Sequence, residues 1–165
     1  MASTIYRGVQ VSTVGPLPAV GDLLPPFHLT APDLSELSSA EFAGERVVLN
    51  VFPSVDTRVC ALSVRRFNEL AAGLENTAVI CISHDLPFAL SRFCGAEGID
   101  QVVVGSAFRS TFGAVYGLTM ADGAGAGLLA RAVLVAGSDG VIRHVELLES
   151  VSEEPDYDAA LAALD

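Results

Sequence analysis

The run Val47-Val48-Leu49-Asn50-Val51-Phe52, followed at once by Pro53, constrains the fold more than any other stretch of the chain. A nearly continuous apolar run of this length reads as a strand buried on both faces. Proline lacks the N–H that a sheet ladder needs and has a fixed φ, so Pro53 ends the strand. Beyond it, Val64, Phe67, Leu70/Ala71 and Leu74 recur at helical spacing, which predicts a helix over 57–73 with Cys60 in its first turn. A thiol placed there faces unpaired backbone N–H groups and the positive end of the helix dipole, and both favour thiolate.

The remainder alternates in the same manner. The apolar pattern predicts a strand at 46–52, the helix at 57–73, a strand at 77–82, a helix at 86–94, a strand at 101–104 and a helix near 109–115. Strands near 128–136 and 141–147 follow, separated by the turn Gly137-Ser138-Asp139-Gly140. A closing helix from about Asp156 carries Tyr157, Ala160/Leu161 and Leu164 on one face. Thr4–Arg7 and Val9–Val14, broken at Gly8, form a candidate N-terminal hairpin. Helices flanking a largely parallel sheet that ends in an antiparallel pair make an α/β fold. No repeat or linker divides residues 1–165, so one domain is expected.

Composition removes several classes of function. The formal net charge of −11 argues against nucleic acid, whose phosphates require clustered cations. The longest charge-free run, Gly8 to Gly21, is too short and too polar to span a membrane. No basic stretch leads into an apolar core at the N-terminus, so a cytoplasmic location is expected. Three cysteines in such a chain suggest redox chemistry or metal, and there is no Cys-x-x-Cys.

Pro53-x-x-x-Thr57-x-x-Cys60 matches the active-site signature of the peroxiredoxins. The chain resembles their thiol peroxidase branch, the atypical two-cysteine peroxiredoxins, over nearly its whole length. The matching segments are Asn50 to Ser54, Val59-Cys60, Leu86-Pro87-Phe88-Ala89, Arg92-Phe93-Cys94-Gly95-Ala96-Glu97-Gly98, Ala130-Arg131-Ala132-Val133 and Glu154-Pro155-Asp156-Tyr157. The resemblance implies a thioredoxin-like fold with peroxiredoxin additions, a homodimer, hydroperoxide substrates, thioredoxin as reductant, and no metal or other cofactor. It assigns Cys60 as the peroxidatic cysteine and Cys94 as the cysteine that resolves its sulfenic acid within one chain. It also gives an arginine in the position of Arg131 the task of steadying the reacting sulfur.

Residue chemistry agrees with these roles while leaving other uses of the same residues open. Cys94 closes the helix over 86–94, where Ser83 or Asp85 can cap the start, Pro87 suits the first turn and Gly95 fits a left-handed C-cap. A thiol near a helix C-terminus faces carbonyl oxygens, which disfavour thiolate. Cys81, inside Ala78-Val79-Ile80-Cys81-Ile82, reads as a core residue. Cys60, Cys81, His84 and Cys94 are the only plausible zinc ligands, and their spacing is awkward. His28 and His144 are isolated and fall on the surface or on edge strands.

Thr57 can place its hydroxyl beside the sulfur one turn on, or cap the helix. Pro53 can shield the site from water, or merely end the strand. In Leu129-Ala130-Arg131-Ala132-Val133-Leu134-Val135 the alternation puts Arg131 on one face with Leu129, Val133 and Val135. An arginine among aliphatics needs an anionic or accepting partner, and a Cys60 thiolate fits. Arg58 lies at a variable position of the motif, where it could tune peroxide entry or reductant docking. A disulfide requires Cα atoms within about 7 Å. Cys60 and Cys94 therefore call for local unwinding, the larger movement being expected at Cys94. Rivals are a redox-sensing switch, a disulfide oxidoreductase and a one-cysteine peroxidase.

Overall fold

The computed structural model describes residues 1–165. Two strands, β1 (Ser3–Tyr6) and β2 (Val9–Ser12), form an antiparallel hairpin of their own. Its two-residue turn, Arg7-Gly8, has positive φ at both positions (50° and 79°), the geometry that matches the twist of a two-residue hairpin. Gly8 reaches it without strain, and Arg7 is forced into it by the pairing of Tyr6 with Val9.

Seven further strands make one sheet: β3 (His28–Thr30), β4 (Glu36–Ser38), β5 (Arg46–Val51), β6 (Thr77–Ser83), β7 (Val103–Ser106), β8 (Ala132–Ala136) and β9 (Ile142–Leu147). They run in the order β4-β3-β7-β6-β5-β8-β9. Only β5, β6 and β7 run parallel to one another; every pairing that involves β8, β9, β3 or β4 is antiparallel. The sheet is thus mixed rather than largely parallel, because β3 and β4, too short to show periodicity, extend its far edge. The expected α/β class and N-terminal hairpin are both present.

Helices α1 (Arg58–Ala71), α2 (Pro87–Glu97), α3 (Phe112–Val115) and α4 (Tyr157–Ala162) cover the two faces. On one face Val47, Leu49, Val51, Ile80, Ile82, Ala132 and Leu134 pack with Phe112, Tyr116 and Phe27. On the other, Val48, Val79, Val133 and Val135 meet Phe67 of α1 and Ala160 and Leu164 at the closing helix, while Phe52 and Cys81 meet Cys60, Val64, Leu90 and Phe93. The period of two in β5 and β8 separates these sets, and burial on both sides explains their near-continuous apolar runs.

Three local expectations change. Helix α2 continues to Glu97, and its left-handed cap is Gly98 (φ 65°) instead of Gly95, which lies inside the helix. The N-cap of α2 is Leu86, with no side-chain capping bond, so neither Ser83 nor Asp85 caps it. Arg131 precedes β8, because Ala130 N donates to Leu118 O and Leu129 bridges Thr119, pairing this segment away from β5. Leu129 accordingly packs with Ala132 and Leu134, opposite Val133 and Val135.

Cys81 is fully buried in β6, and burial pushes its thiol from 9.0 up to about 12, the Asn50 amide 3.6 Å away acting weakly in the other direction. The folded state therefore keeps this proton where the unfolded chain has lost it. The contribution to stability is intact below about pH 9 and is lost as pH rises from there towards 12. No lysine occurs in the chain, so few other groups titrate in that window. Cys81→Ala is expected to lower stability at pH 7 by about 1 kcal/mol; at pH ~10.5 the parent has lost about 2 kcal/mol through Cys81, so the order should reverse and leave the variant about 1 kcal/mol the more stable. Urea midpoints under phosphine reductant at the two pH values check this; parallel profiles would refute it.

Candidate active site

Strand β5 ends at Val51, and Phe52 and Pro53, both buried, carry the chain off the sheet. A turn through Ser54, Val55 and Asp56 leads to Thr57, the N-cap of α1. Helix α1 has no acidic residue in its first turn, so no carboxylate competes there with the sulfur for the positive helix end. Cys60 occupies that turn, points into the core and is 1% exposed.

Its sulfur meets one strong donor. Arg131 Nη2 lies 2.9 Å from Cys60 Sγ, and Arg131 Nε donates to the Val151 carbonyl at 2.8 Å. The guanidinium is itself 1% exposed, and its Nη1 has no partner. A guanidinium only donates, so Sγ must accept, which a thiolate does better than a thiol. The orphan Nη1 is a buried donor waiting for an acceptor.

A cavity of about 240 Å³ opens over these groups, lined by Pro53, Thr57, Val59, Cys60, Arg131 and Val151, with the hairpin turn Tyr6-Arg7-Gly8 and the serines 150 and 152 around it. The hairpin is held to the C-terminal segment by Thr4 Oγ1 donating to Leu148 O (2.9 Å), Ile5 N to Glu149 O (2.8 Å) and Val151 N to Ile5 O (3.0 Å). That ribbon fixes the Val151 carbonyl, and the carbonyl in turn orients Arg131.

Thr57 stands at the cavity wall, but its Oγ1 donates to Ser54 O at 2.9 Å instead of bonding to Cys60 Sγ. Arg58 is exposed and lines a different groove, between α1 and α2, with Arg65 and Arg92. Cys94 lies half-buried on α2 against the cluster that contains Cys60 and Cys81, and burial raises its pKa. All three cysteines are free thiols.

His84 Nδ1 sits 2.6 Å from Gly127 O, and no three His, Cys, Asp or Glu side chains converge as metal ligands. His28 is exposed beside Glu36 (2.8 Å), whereas His144 on edge strand β9 buries its Nε2 without a partner.

Several supports of the site left little trace in the local pattern of residues. Asp85 accepts from Ser54 Oγ (2.7 Å), Val55 N (2.9 Å) and Ser83 Oγ (2.7 Å), bracing the turn that precedes Cys60. Ser63 Oγ donates to Cys60 O (2.8 Å), and Asn50 Nδ2 reaches Ser63 Oγ (3.3 Å) from the strand beneath. In the sequence Asp85 stood out only as a candidate cap for the helix that follows it.

The redoxin family model matches residues 19–161. The thiol peroxidases of Corynebacterium glutamicum and of Mycobacterium tuberculosis are each 56% identical over 164 residues, which is 99% of this chain and 99% of theirs. Among solved structures, a peroxiredoxin-like protein from Aquifex aeolicus superposes with a TM-score of 0.92 at 37% identity, over 97% of this chain and 94% of that one. A thiol peroxidase from Chromobacterium violaceum, 22% identical, shares the fold with a TM-score of 0.89 over 97% and 93%. The chain belongs to the redoxin family and, with such identity along its full length, to the thiol peroxidases within it, which are peroxidase enzymes.

Proposed function

We propose that this thiol peroxidase reduces organic hydroperoxides and hydrogen peroxide through a Cys60 sulfenic acid and an intrachain Cys60–Cys94 disulfide, with thioredoxin as reductant. The observation that carries the reading is the Arg131 guanidinium, bound to Cys60 Sγ at 2.9 Å by one nitrogen and unpartnered at another. Nη2 favours the nucleophilic thiolate, and Nη1 can take a peroxide oxygen. The cavity, at about 240 Å³, exceeds the roughly 30 Å³ share of a water molecule several times over, which leaves room for an organic group beside the peroxide.

The Cys60 thiolate attacks the distal oxygen of R–O–O–H. The S–O bond forms as the O–O bond breaks, and the leaving R–O⁻ takes a proton to become the alcohol. Arg131 stabilises charge developing on that oxygen; Thr57 and Pro53 shape the wall and limit water, and the Ser54-bound hydroxyl of Thr57 acts there by position. Cys94 then attacks the sulfenic sulfur, water leaves and the disulfide forms. The dithiol of thioredoxin restores both thiols by exchange.

No cofactor enters this sequence. The enzyme acts in antioxidant defence as one domain spanning residues 1–165, in the cytoplasm, where thioredoxin is kept reduced. No helix is long and apolar enough to cross a membrane. A homodimer is part of the same reading. Leu86, Phe88 and Phe108 are exposed on adjoining segments that Ser106 joins through its bond to the Asp85 carbonyl, and they offer apolar area for it.

Peptide mapping without reductant, after one equivalent of cumene hydroperoxide, should find the Cys60–Cys94 cross-link within one chain and nothing in Cys60→Ser. Cys94→Ser should instead accumulate sulfenic acid, trappable with dimedone. Unmodified thiols in the parent protein would overturn the reading. Arg131→Lys keeps the charge but not the fork that spans sulfur and carbonyl, and should lower the second-order rate with peroxide by about 10- to 100-fold. Stopped-flow peroxide consumption checks this, and an unchanged rate would remove Arg131 from the chemistry.

A further inference from the structure

The peroxide cavity carries a charge opposite to that of the chain around it. The protein has 20 acidic side chains and a formal net charge of −11, yet no Asp or Glu lines this cavity, whereas Arg7 and Arg131 both do. Arg131 lies beside Cys60 at the reacting end. Arg7 stands at the mouth, exposed, in the turn between β1 and β2. Its guanidinium takes part in none of the ion pairs, which go to His28, Arg65, Arg66 and Arg92. Of the glutamates around Ser150 and Ser152, Glu149 lines a separate hollow with Ser3 and Gln10, and Glu154 accepts from the Tyr157 hydroxyl at 2.9 Å. Glu153 is exposed outside the cavity wall.

We propose that Arg7 is the anion-binding end of the substrate site, and that the enzyme takes hydroperoxides bearing a carboxylate in preference to neutral ones. The proposal rests on the reading of Cys60 and Arg131 given above and names the substrates that their site favours. The lining changes character from end to end. Cys60 and Arg131 receive the peroxide, Pro53, Val59 and Val151 wall the middle, and Arg7 stands with Ser150 and Ser152 at the rim. The two serine hydroxyls are 2.8 Å apart, and when Ser150 donates to Ser152 the Ser152 proton is free for a ligand. Such a cavity matches a molecule with a hydroperoxide at one end, an apolar body and an anionic group at the other.

The placement of Arg7 is fixed and strained, as befits a ligand clamp. Its φ of 50° is one that glycine or asparagine adopts easily and other residues seldom do, and backbone strain of this sort gathers where a ligand is held. The guanidinium lies 5.4 Å from the centre of the Tyr6 ring, whose face attracts a cation. That ring is seated in turn: a Cβ at Gly125 would come within 3.1 Å of it and within 2.9 Å of Met120 Cε, so only glycine lets this loop close against Tyr6. Because Arg7 is exposed, its pull on a carboxylate is modest and screened by salt. It sorts substrates by charge without trapping the product.

The test compares two probes on the full chain, the para-carboxylate of cumene hydroperoxide and the methyl ester of that acid, which differ in charge but share the peroxide and the ring. Rapid acid quench and mass analysis follow the second-order loss of the Cys60 thiol, and the readout is the ratio of the carboxylate rate to the ester rate. At low salt the parent ratio should exceed that of Arg7→Asn about two- to five-fold, and the difference should fade as salt rises. Asparagine suits the turn better than arginine, so Arg7→Asn should also raise the urea midpoint, which separates lost recognition from lost folding. Arg7→Glu should carry the ratio lower still. Arg143→Ala removes the same charge beside the Gly137 turn, at the far end of β8 from Arg131, and should keep the parent ratio. A parent ratio no greater than that of Arg7→Asn would overturn the proposal, and oxidation of Cys60 by both probes would leave the peroxidase reading standing. If neither probe oxidises Cys60, that reading falls and the proposal with it.

Discussion

A guanidinium removed from water sets the terms for the rest of this molecule. Arg131 is 1% exposed and bonds to no carboxylate; its acceptors are the Cys60 sulfur and one backbone carbonyl. Burying a charge without adequate acceptors costs several kcal/mol, and the cost falls when the charge meets an anion. The fold therefore stabilises the form of Cys60 that accepts, and it leaves Nη1 without a partner where a substrate can supply one. Strand β8, the hairpin and the C-terminal segment all serve that arrangement. Each fixes either the Cα of Arg131 or the Val151 carbonyl that steers its side chain.

The site lies where parallel strands hand their chain to loops. β5 and β6 run side by side and both end towards Cys60, one through Pro53 and the other through Asp85. The two segments that bear Cys60 and Cys94 thus leave the sheet as neighbours. This explains why a single carboxylate, Asp85, can bond to both the Ser54–Val55 turn and its own strand end. It also explains why Cys81, one strand away beneath them, is sealed so completely. The same core cluster holds both Cys81 and Cys60, and of the two only Cys60 reaches the cavity.

Much of this was legible before any coordinates. The buried run ending at Pro53 announced β5, the apolar spacing announced α1, and an arginine among aliphatics announced a buried partner for Arg131. What escaped was set by groups distant in sequence. Local alternation placed Leu129 with Val133, but residues 128–130 pair with 118–120, so the face changes at Arg131. β3 and β4 are three residues each and exist only because β7 offers an edge. Gly95 looked like a helix stop until tertiary packing carried α2 one turn further, to Gly98. Thr57 looked like a partner for the sulfur, but its hydroxyl donates to Ser54 O instead. The hairpin turn at the cavity mouth carries no local sign of the site, because it arrives there only through pairing with residues 148–151.

Every basic side chain other than histidine in this chain is an arginine. Guanidinium stays protonated throughout the range in which proteins remain folded, whereas lysine can lose its charge when buried. Arg131 can therefore sit in the core without escaping its charge, and the electrostatic demand on Cys60 does not fade as pH rises. The Arg65–Glu97 pair between α1 and α2, and the Arg92–Asp56 pair from α2 to the turn before α1, likewise persist at alkaline pH. Among the groups that respond to alkali, Cys81, Cys94, the buried Tyr116 and the half-buried Tyr157 are held protonated by burial. Since burial raises Cys94, its thiolate forms only as pH rises, and the same rise in pH works against the folded state through Cys81. The half-buried thiol of Cys94 and the core thiol of Cys81 are both held protonated by burial, and the cause in both cases is the shared cluster in which they are packed.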